Sequence, residues 1–146
     1  MLTALWTSPG ERWRLLAPEG AVAVDVGAGP RAVRRAVAEL RALPGGTPVV
    51  LLDHRPGGRL RARRIAAAGA MVVDRQYVAL PSLRRAIVVA DDSSDSLRWA
   101  CRSLVTPPPG ITWAHALLDI AVKLLRRRPG MVSWAGPGRV VVGRTK

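Results

Sequence analysis

Short apolar runs alternate along the chain with segments whose apolar residues recur at helical spacing. The runs Ala21–Val26 and Pro48–Leu52 are short and rich in β-branched residues, which is typical of buried strands. Between them, "RAVRRAVAELRALPGG" (Arg31–Gly46) carries Val, Val and Leu at i, i+4 and i+7, with arginines mostly off that stripe. This pattern predicts an amphipathic helix that ends at the Pro-Gly-Gly sequence.

The pattern continues with a second helix and a hairpin. The segment "RLRARRIAAAGA" predicts a helix that ends near Gly69, and Met71–Leu80 predicts a strand. A further strand, "RAIVVADD", follows after a very short connection, so these two strands are expected to form an antiparallel hairpin. Strands that alternate with helices favour an α/β fold whose sheet is mostly parallel, with helices packed on it and this hairpin at its edge.

The rest of the chain predicts a C-terminal helical extension. A helix over "LRWACRSLV", capped by Asp95 or Ser96, is followed by prolines, by a last helix over "ITWAHALLDIAVKLLRRR", and by a candidate final strand, "GRVVVGRTK". We therefore divide the chain into three parts, which are an N-terminal lead-in at 1–20, an α/β core at 21–92 and a Trp/Arg-containing extension at 93–146.

The stretch "VDVGAG" (Val24–Gly29), with this order of elements, resembles class I S-adenosylmethionine-dependent methyltransferases. In a first register, this stretch is the family's first glycine-rich loop, where small residues let the backbone approach the cofactor. Asp53 would then be the acid that accepts the ribose hydroxyls. This register implies a small methyltransferase that binds S-adenosylmethionine through Asp25, Gly27, Gly29 and Asp53.

In a second register, the resemblance is to the C-terminal half of the family. "VAVDV" would be the fourth strand, "LPGG" the turn before the fifth strand, "TPVVLLDHRPG" that strand, and "MVVDRQYVAL" the sixth. "RAIVVADD" would be the seventh, antiparallel edge strand, and because this hairpin fits only here we favour the second register. It implies a truncated or degenerate domain without its own cofactor site. Its open sheet edge must be covered or paired, by a second copy or by another protein.

The charge of the chain is strongly basic, with 23 Lys and Arg against 10 Asp and Glu and a formal net charge of +13. Such a surface suits an acidic protein, an anionic membrane or nucleic acid, although GC-rich coding would also enrich Arg. The last helix, with Trp113 at its start, has the outline of a helix packed on the domain or of an interfacial helix on an anionic membrane. The candidate anion-binding or partner-binding residues are Arg61, Arg63, Arg64, Arg126, Arg127 and Arg128.

Few residues offer catalytic or metal chemistry. Cys101 is the single cysteine and there are two histidines, so neither an intramolecular disulfide nor a zinc cluster is expected. His54, directly after Asp53, is a candidate general base, although a lone loop histidine is more often solvated. Cys101 with His115 would make a nucleophile and base, but a buried structural thiol is the commoner arrangement. Without a signal peptide or a long apolar stretch, we expect a cytoplasmic or membrane-peripheral protein.

From these observations we expect a non-catalytic methyltransferase-like accessory domain, a pseudoenzyme with neither cofactor nor metal. It would complete or regulate a partner in a bacterial biosynthetic complex. Two alternatives stay open. One is a small S-adenosylmethionine-dependent methyltransferase, and the other is a basic module that binds anionic lipid or nucleic acid.

Overall fold

The structure, a computed structural model, is an α/β fold built on one five-stranded sheet. It describes residues 9–27, 29–55, 58–80, 83, 84, 86, 88–103, 113, 116, 120, 123, 124, 126–128, 130, 131 and 138–146. After a 3-10 helix at Pro9–Leu16, the elements are β1 Val22–Val26, α1 Pro30–Ala42, β2 Pro48–Asp53, α2 Gly58–Ala68, β3 Met71–Leu80, β4 Val88–Asp91, α3 Ser94–Ser103 and β5 Arg139–Thr145. The predicted helices before and after β2 and the predicted antiparallel hairpin of β3 with β4 are confirmed.

The order of the strands is β1-β2-β5-β3-β4. Only β1 and β2 pair in parallel, whereas β5 is antiparallel to both of its neighbours and β4 is antiparallel to β3. The prediction of a mostly parallel sheet is therefore wrong. The reason is that the connection through α2 skips one position in the sheet, and the C-terminal strand fills it. β1, β2 and β3 still run in the same direction, because β5 reverses the direction on both of its sides.

β5 completes the middle of the sheet rather than its edge. Val140, Val141 and Val142 are buried, with Val141 in the core on the α1 and α2 face and the other two in the core on the opposite face. A Cβ on Gly143 would collide with the carbonyl oxygen of Val72, so this position in β5 requires glycine. The segment 93–146 thus supplies a strand to the same sheet as residues 21–92.

Helices cover both faces of the sheet. α1 and α2 pack their Ala36, Leu40 and Ile65 against the valines of β1 and β2, and the 3-10 helix places Trp13 on the opposite face. α3 packs on β3 and β4, where Cys101 is fully buried. The N-terminus of α3 is capped by Ser93, whose hydroxyl accepts the Ser96 amide, and not by Asp95 or Ser96 as predicted.

The described positions between residues 113 and 127 are all helical, in agreement with the predicted last helix. Trp113, Ile120 and Leu124, at three of these positions, are exposed. His115 and Trp134 lie outside the described residues, so the proposed pairing of Cys101 with His115 stays a prediction.

Candidate functional site

The edge of the sheet at β1 borders a groove. Among the described residues β1 pairs with β2 alone, so the backbone groups on its other side have no strand to bond. A groove of about 640 Å³ lies at this edge, between the end of β1, α1 and the loop after β2. Asp25, Gly27 and His54 line it, with Arg35 and Arg55 beside them. Three of the residues that the sequence singled out therefore lie together.

Asp25 and His54 form a pair in this groove. His54 Nε2 lies 3.0 Å from Asp25 Oδ2. The two residues meet because the parallel register sets Asp25 beside Leu52, so the residue after β2 lies next to the end of β1. A carboxylate that orients an imidazole is one part of general base catalysis. No described residue lining the groove is a Ser, Thr or Cys that such a base would activate.

Asp53 lies on the opposite face of the sheet from Asp25. It is opposite Val26 in the β1–β2 ladder and shares the face of Val26, whereas Asp25 alternates to the other side. Its side chain is only 2% exposed. Oδ1 accepts the backbone N–H of Arg55 at 3.1 Å, and Oδ2 accepts Nε of Arg61 at 2.9 Å. The four residues predicted to hold a cofactor are thus divided, and both oxygens of Asp53 are already bonded inside the protein.

Gly29 has a structural role at the start of α1. It is the N-cap residue, with a φ of 97°, and Pro30 follows at the first helical position. A residue with a Cβ rarely adopts this backbone conformation, so the position favours glycine whether or not a ligand binds.

The predicted basic surface separates into residues with different surroundings. Arg61 is largely buried against Asp53, whereas Arg63 and Arg64 on the same helix are exposed. On the last helix, Nε of Arg126 donates to the carbonyl oxygen of Cys101 at 3.4 Å. Arg127 and Arg128 are exposed. The charge available to a partner is therefore smaller than the six arginines suggest.

A second cluster of buried charge was not predicted from the sequence. Nη1 of Arg139 donates to Oδ2 of Asp92 at 2.8 Å, with both side chains almost fully buried, and Nε of Arg59 lies 3.7 Å from the same oxygen. Arg139 is opposite Asp53 in the β2–β5 ladder and opposite Val78 in the β3–β5 ladder. The one available signal was an arginine directly before the apolar "VVV" run. The partner of Arg139 depends on where β5 inserts into the sheet, and local sequence patterns do not predict this position.

Beside this cluster a cleft of about 370 Å³ opens between α2, the irregular part of β3 and the end of β4. The ladder between β3 and β5 shifts register between Val73 and Arg75, so Asp74 is the extra residue of a β-bulge. Gln76 follows the bulge and shares its face with Val78 and Leu80. A polar residue in phase with two buried apolar ones was the sequence signal for this cleft.

Comparisons with known proteins leave the chain unassigned, since no protein-family model, no curated protein and no solved structure matches it. Within the described residues there is no group of three His, Cys, Asp or Glu side chains placed to bind a metal ion. In the same part of the chain, every helix is too short or too polar to cross a bilayer.

Proposed function

We propose that this chain is a non-catalytic, methyltransferase-like accessory domain that binds an acidic partner protein through the open edge of β1. The observation that carries the proposal is this edge, which pairs with no other described strand and is bordered by a groove of about 640 Å³. An unpaired edge presents a row of N–H and C=O groups to which an extended segment of another chain adds as a further strand.

The methyltransferase-like part of the proposal rests on the sequence resemblance in its second register. β1, β2 and β3 run in one direction and are joined by helices, which agrees with the roles that this register gives them. The first register needs Asp53 as a ribose ligand beside Asp25 and Gly27. The bonds of Asp53 to Arg55 and Arg61, on the other face, favour a domain that binds no S-adenosylmethionine there.

The charge of the groove favours an acidic partner over a second copy of the chain. Arg35, Arg55 and Arg84 line the groove, against Glu39 and an Asp25 that already faces His54. Two copies joined edge to edge would bring these arginines together, and each copy has a net charge of +13. Like charges at an interface oppose association, whereas an acidic strand would be attracted.

The test uses an extended peptide of alternating Val and Glu, with a Val/Lys peptide as its control, and the full chain. Fluorescence anisotropy should show binding of the acidic peptide alone, with at least tenfold weaker binding by an Arg35→Glu/Arg55→Glu variant. The matched control, Arg64→Glu/Arg128→Glu, changes the net charge equally at exposed positions away from the groove and should bind normally.

Two further readouts locate the binding. Amide hydrogen exchange should slow at Val22–Val26 when the peptide is bound and stay unchanged at Val88–Asp91, the opposite edge of the sheet. Light scattering should give a monomer for the chain alone. If the chain is instead a dimer, and the Arg35→Glu/Arg55→Glu variant is a monomer, the partner at this edge is a second copy of the chain. Equal binding of both peptides, or protection at β4 instead of β1, would refute the proposal.

One observation favours a second function, binding to an anionic membrane surface. Trp113 is 78% exposed, Ile120 and Leu124 are also exposed, and Arg127 and Arg128 follow them in the sequence; the first four of these positions are helical. Exposed apolar side chains next to arginines suit the boundary of an anionic bilayer. The chain should sediment with phosphatidylglycerol vesicles, whereas the Trp113→Ala/Ile120→Ala variant should stay in the supernatant. Equal retention by phosphatidylcholine vesicles would count against this function.

A further inference from the structure

The cleft next to Asp92 has a buried polar floor, formed by Gln76 and Asp92. The backbone N–H of Asp92 donates to the carbonyl oxygen of Gln76 at 2.9 Å, so the two residues are neighbours on adjacent strands. Both line the cleft of about 370 Å³, with Arg59 and Arg63 of α2 on one side of it. This volume lies within the range of small-molecule sites, about 300–1,000 Å³.

Gln76 and Asp92 carry buried polar atoms that the described residues do not satisfy. Gln76 is 8% exposed, and neither its Oε1 nor its Nε2 has a hydrogen-bond partner among the described residues. Oδ2 of Asp92 is held by Arg139, whereas its Oδ1 is buried and has no partner in the described part of the chain. Buried polar groups are rarely left unbonded, because each costs about 1–3 kcal/mol. The three atoms belong to two residues that line one cleft, which points to a ligand in that cleft as their missing partner.

We propose that this cleft binds a heterocycle with a 2-amino-lactam edge, the edge that guanine presents. Gln76 offers one donor group and one acceptor, and Asp92 offers a second acceptor whose carboxylate is fixed in place by Arg139. Their complement is a ligand edge with one acceptor and two adjacent donors. The carbonyl oxygen, ring N–H and exocyclic amine of guanine supply this set in one plane.

The charges around the cleft suit a neutral base that carries an anionic group. Arg59, Arg63 and Arg75 line the cleft together with Asp74, Asp91 and Asp92, and Arg139 is paired with Asp92, so the surroundings of the cleft are slightly positive. Arg59 and Arg63 are one helical turn apart on the exposed side of α2, where a phosphate attached to the base would meet two guanidinium groups. A guanine nucleotide and a pterin share the proposed edge, and they differ in this phosphate.

This inference is independent of the proposed function, because the cleft and the β1 edge involve different strands. The test is calorimetric titration of the full chain with guanosine 5′-monophosphate, guanosine and pterin. Inosine 5′-monophosphate, which lacks the 2-amino group, should bind at least about tenfold more weakly than guanosine 5′-monophosphate. If the nucleotide binds more tightly than guanosine, the ligand of the cleft is a nucleotide. If pterin binds more tightly than the nucleotide, the ligand is a pterin.

Two variants test the role of each floor residue. In Asp92→Asn, the amide oxygen faces Arg139, and an N–H₂ donor replaces the acceptor Oδ1. Xanthosine 5′-monophosphate has a carbonyl oxygen in place of the 2-amino group, so the variant should bind it in preference to guanosine 5′-monophosphate. Gln76→Met should weaken the binding of guanosine 5′-monophosphate at least about tenfold while the protein stays folded. The matched control is Asp53→Asn, the same change at a buried carboxylate outside the cleft, which should bind normally.

Three results would overturn the inference. They are the absence of saturable binding of all three ligands, equal affinity for guanosine and inosine monophosphates, and equal losses of affinity in Asp92→Asn and Asp53→Asn. A gain of xanthosine monophosphate binding by Asp92→Asn would support it most strongly, because a purely structural role of Asp92 predicts loss of binding without exchange of preference.

Discussion

Two buried aspartates on the same face of the sheet, Asp53 and Asp92, have similar surroundings but differ in their ability to accept a further hydrogen bond. Asp53 is the last residue of β2 and Asp92 directly follows β4. Each side chain is at most 4% exposed, and each bonds an arginine. Asp53 uses one oxygen for Arg61 and the other for the Arg55 backbone, so it closes the turn after β2. Asp92 gives only one oxygen to Arg139. Burial and ion pairing alone therefore do not distinguish a structural carboxylate from one that is available to a ligand. The distinction lies in whether each carboxylate oxygen already has a hydrogen-bond partner.

The largest effect is expected from Arg139→Met. Arg139 is 2% exposed, and its removal leaves the Asp92 carboxylate buried, with Arg59 as its one remaining ion-pair partner among the described residues, at 3.7 Å. Breaking a buried pair from one side costs about 3–5 kcal/mol of unfolding free energy. Urea denaturation measures this cost, and Asp92→Asn in the same background should recover part of it by removing the unpaired charge. A cost below about 1 kcal/mol would show that the pair is not buried as described.

Arg61→Met is the matched change at the other aspartate, and it should cost less, about 1–2 kcal/mol. Arg61 is 24% exposed, so water already reaches the pair, and Asp53 keeps the bond from the Arg55 N–H. The same urea measurement provides the comparison. Equal costs for Arg61→Met and Arg139→Met would remove the distinction between the two aspartates.

Gln76→Met should raise the stability of the ligand-free protein by about 1 kcal/mol, because it removes an unsatisfied buried amide and keeps the length of the side chain. Thermal unfolding would show a higher Tm. Gln76→Glu, which places a further carboxylate beside Asp92, is the control and should lower the Tm. A loss of stability in Gln76→Met would mean that the amide is satisfied in the folded protein.

The smallest effect concerns Cys101 on α3, the helix that begins two residues after Asp92. Burial raises the pKa of the Cys101 thiol, so the folded protein keeps this proton at a pH where the unfolded chain loses it. Stability should therefore fall as pH rises through the unfolded thiol pKa of about 8.5, and Cys101→Ala should remove this part of the slope. Thiol labelling at pH 8 should be slow in the wild type and in Arg61→Met, and faster in Arg139→Met. Fast labelling of the wild type would contradict the burial of this thiol.

The sequence predicted the elements better than their arrangement. The helical stripe over α1 and the β3–β4 hairpin follow from local periodicity and were found. The run Val140–Val142 identified a strand, but its position between β2 and β3 is a tertiary choice, and this choice made the sheet mostly antiparallel. Alternation alone places Asp25 and Asp53 on known sides of their strands, whereas only the β1–β2 register shows that these sides are opposite faces of the sheet.

The buried pair Arg139–Asp92 was beyond local reasoning, since 47 positions separate its members and β5 must insert before they meet. The same holds for the pairing of Asp25 with His54, because only the parallel register of β1 with β2 brings these two residues to 3.0 Å. A β-bulge at Asp74 has no distinct pattern in "MVVDRQYVAL", and it lies two residues before Gln76, which lines the cleft.

Both oxygens of Asp53 are bonded within the protein, whereas Oδ1 of Asp92 has no partner among the described residues. One calorimetric experiment tests whether this difference decides which aspartate serves a ligand. S-adenosylmethionine and guanosine 5′-monophosphate are titrated in the same buffer into the wild type, Asp53→Asn and Asp92→Asn. We predict no saturable heat with S-adenosylmethionine, and binding of guanosine 5′-monophosphate that survives Asp53→Asn and is lost in Asp92→Asn. Saturable binding of S-adenosylmethionine that Asp53→Asn abolishes, with no binding of the guanine nucleotide, would contradict the account.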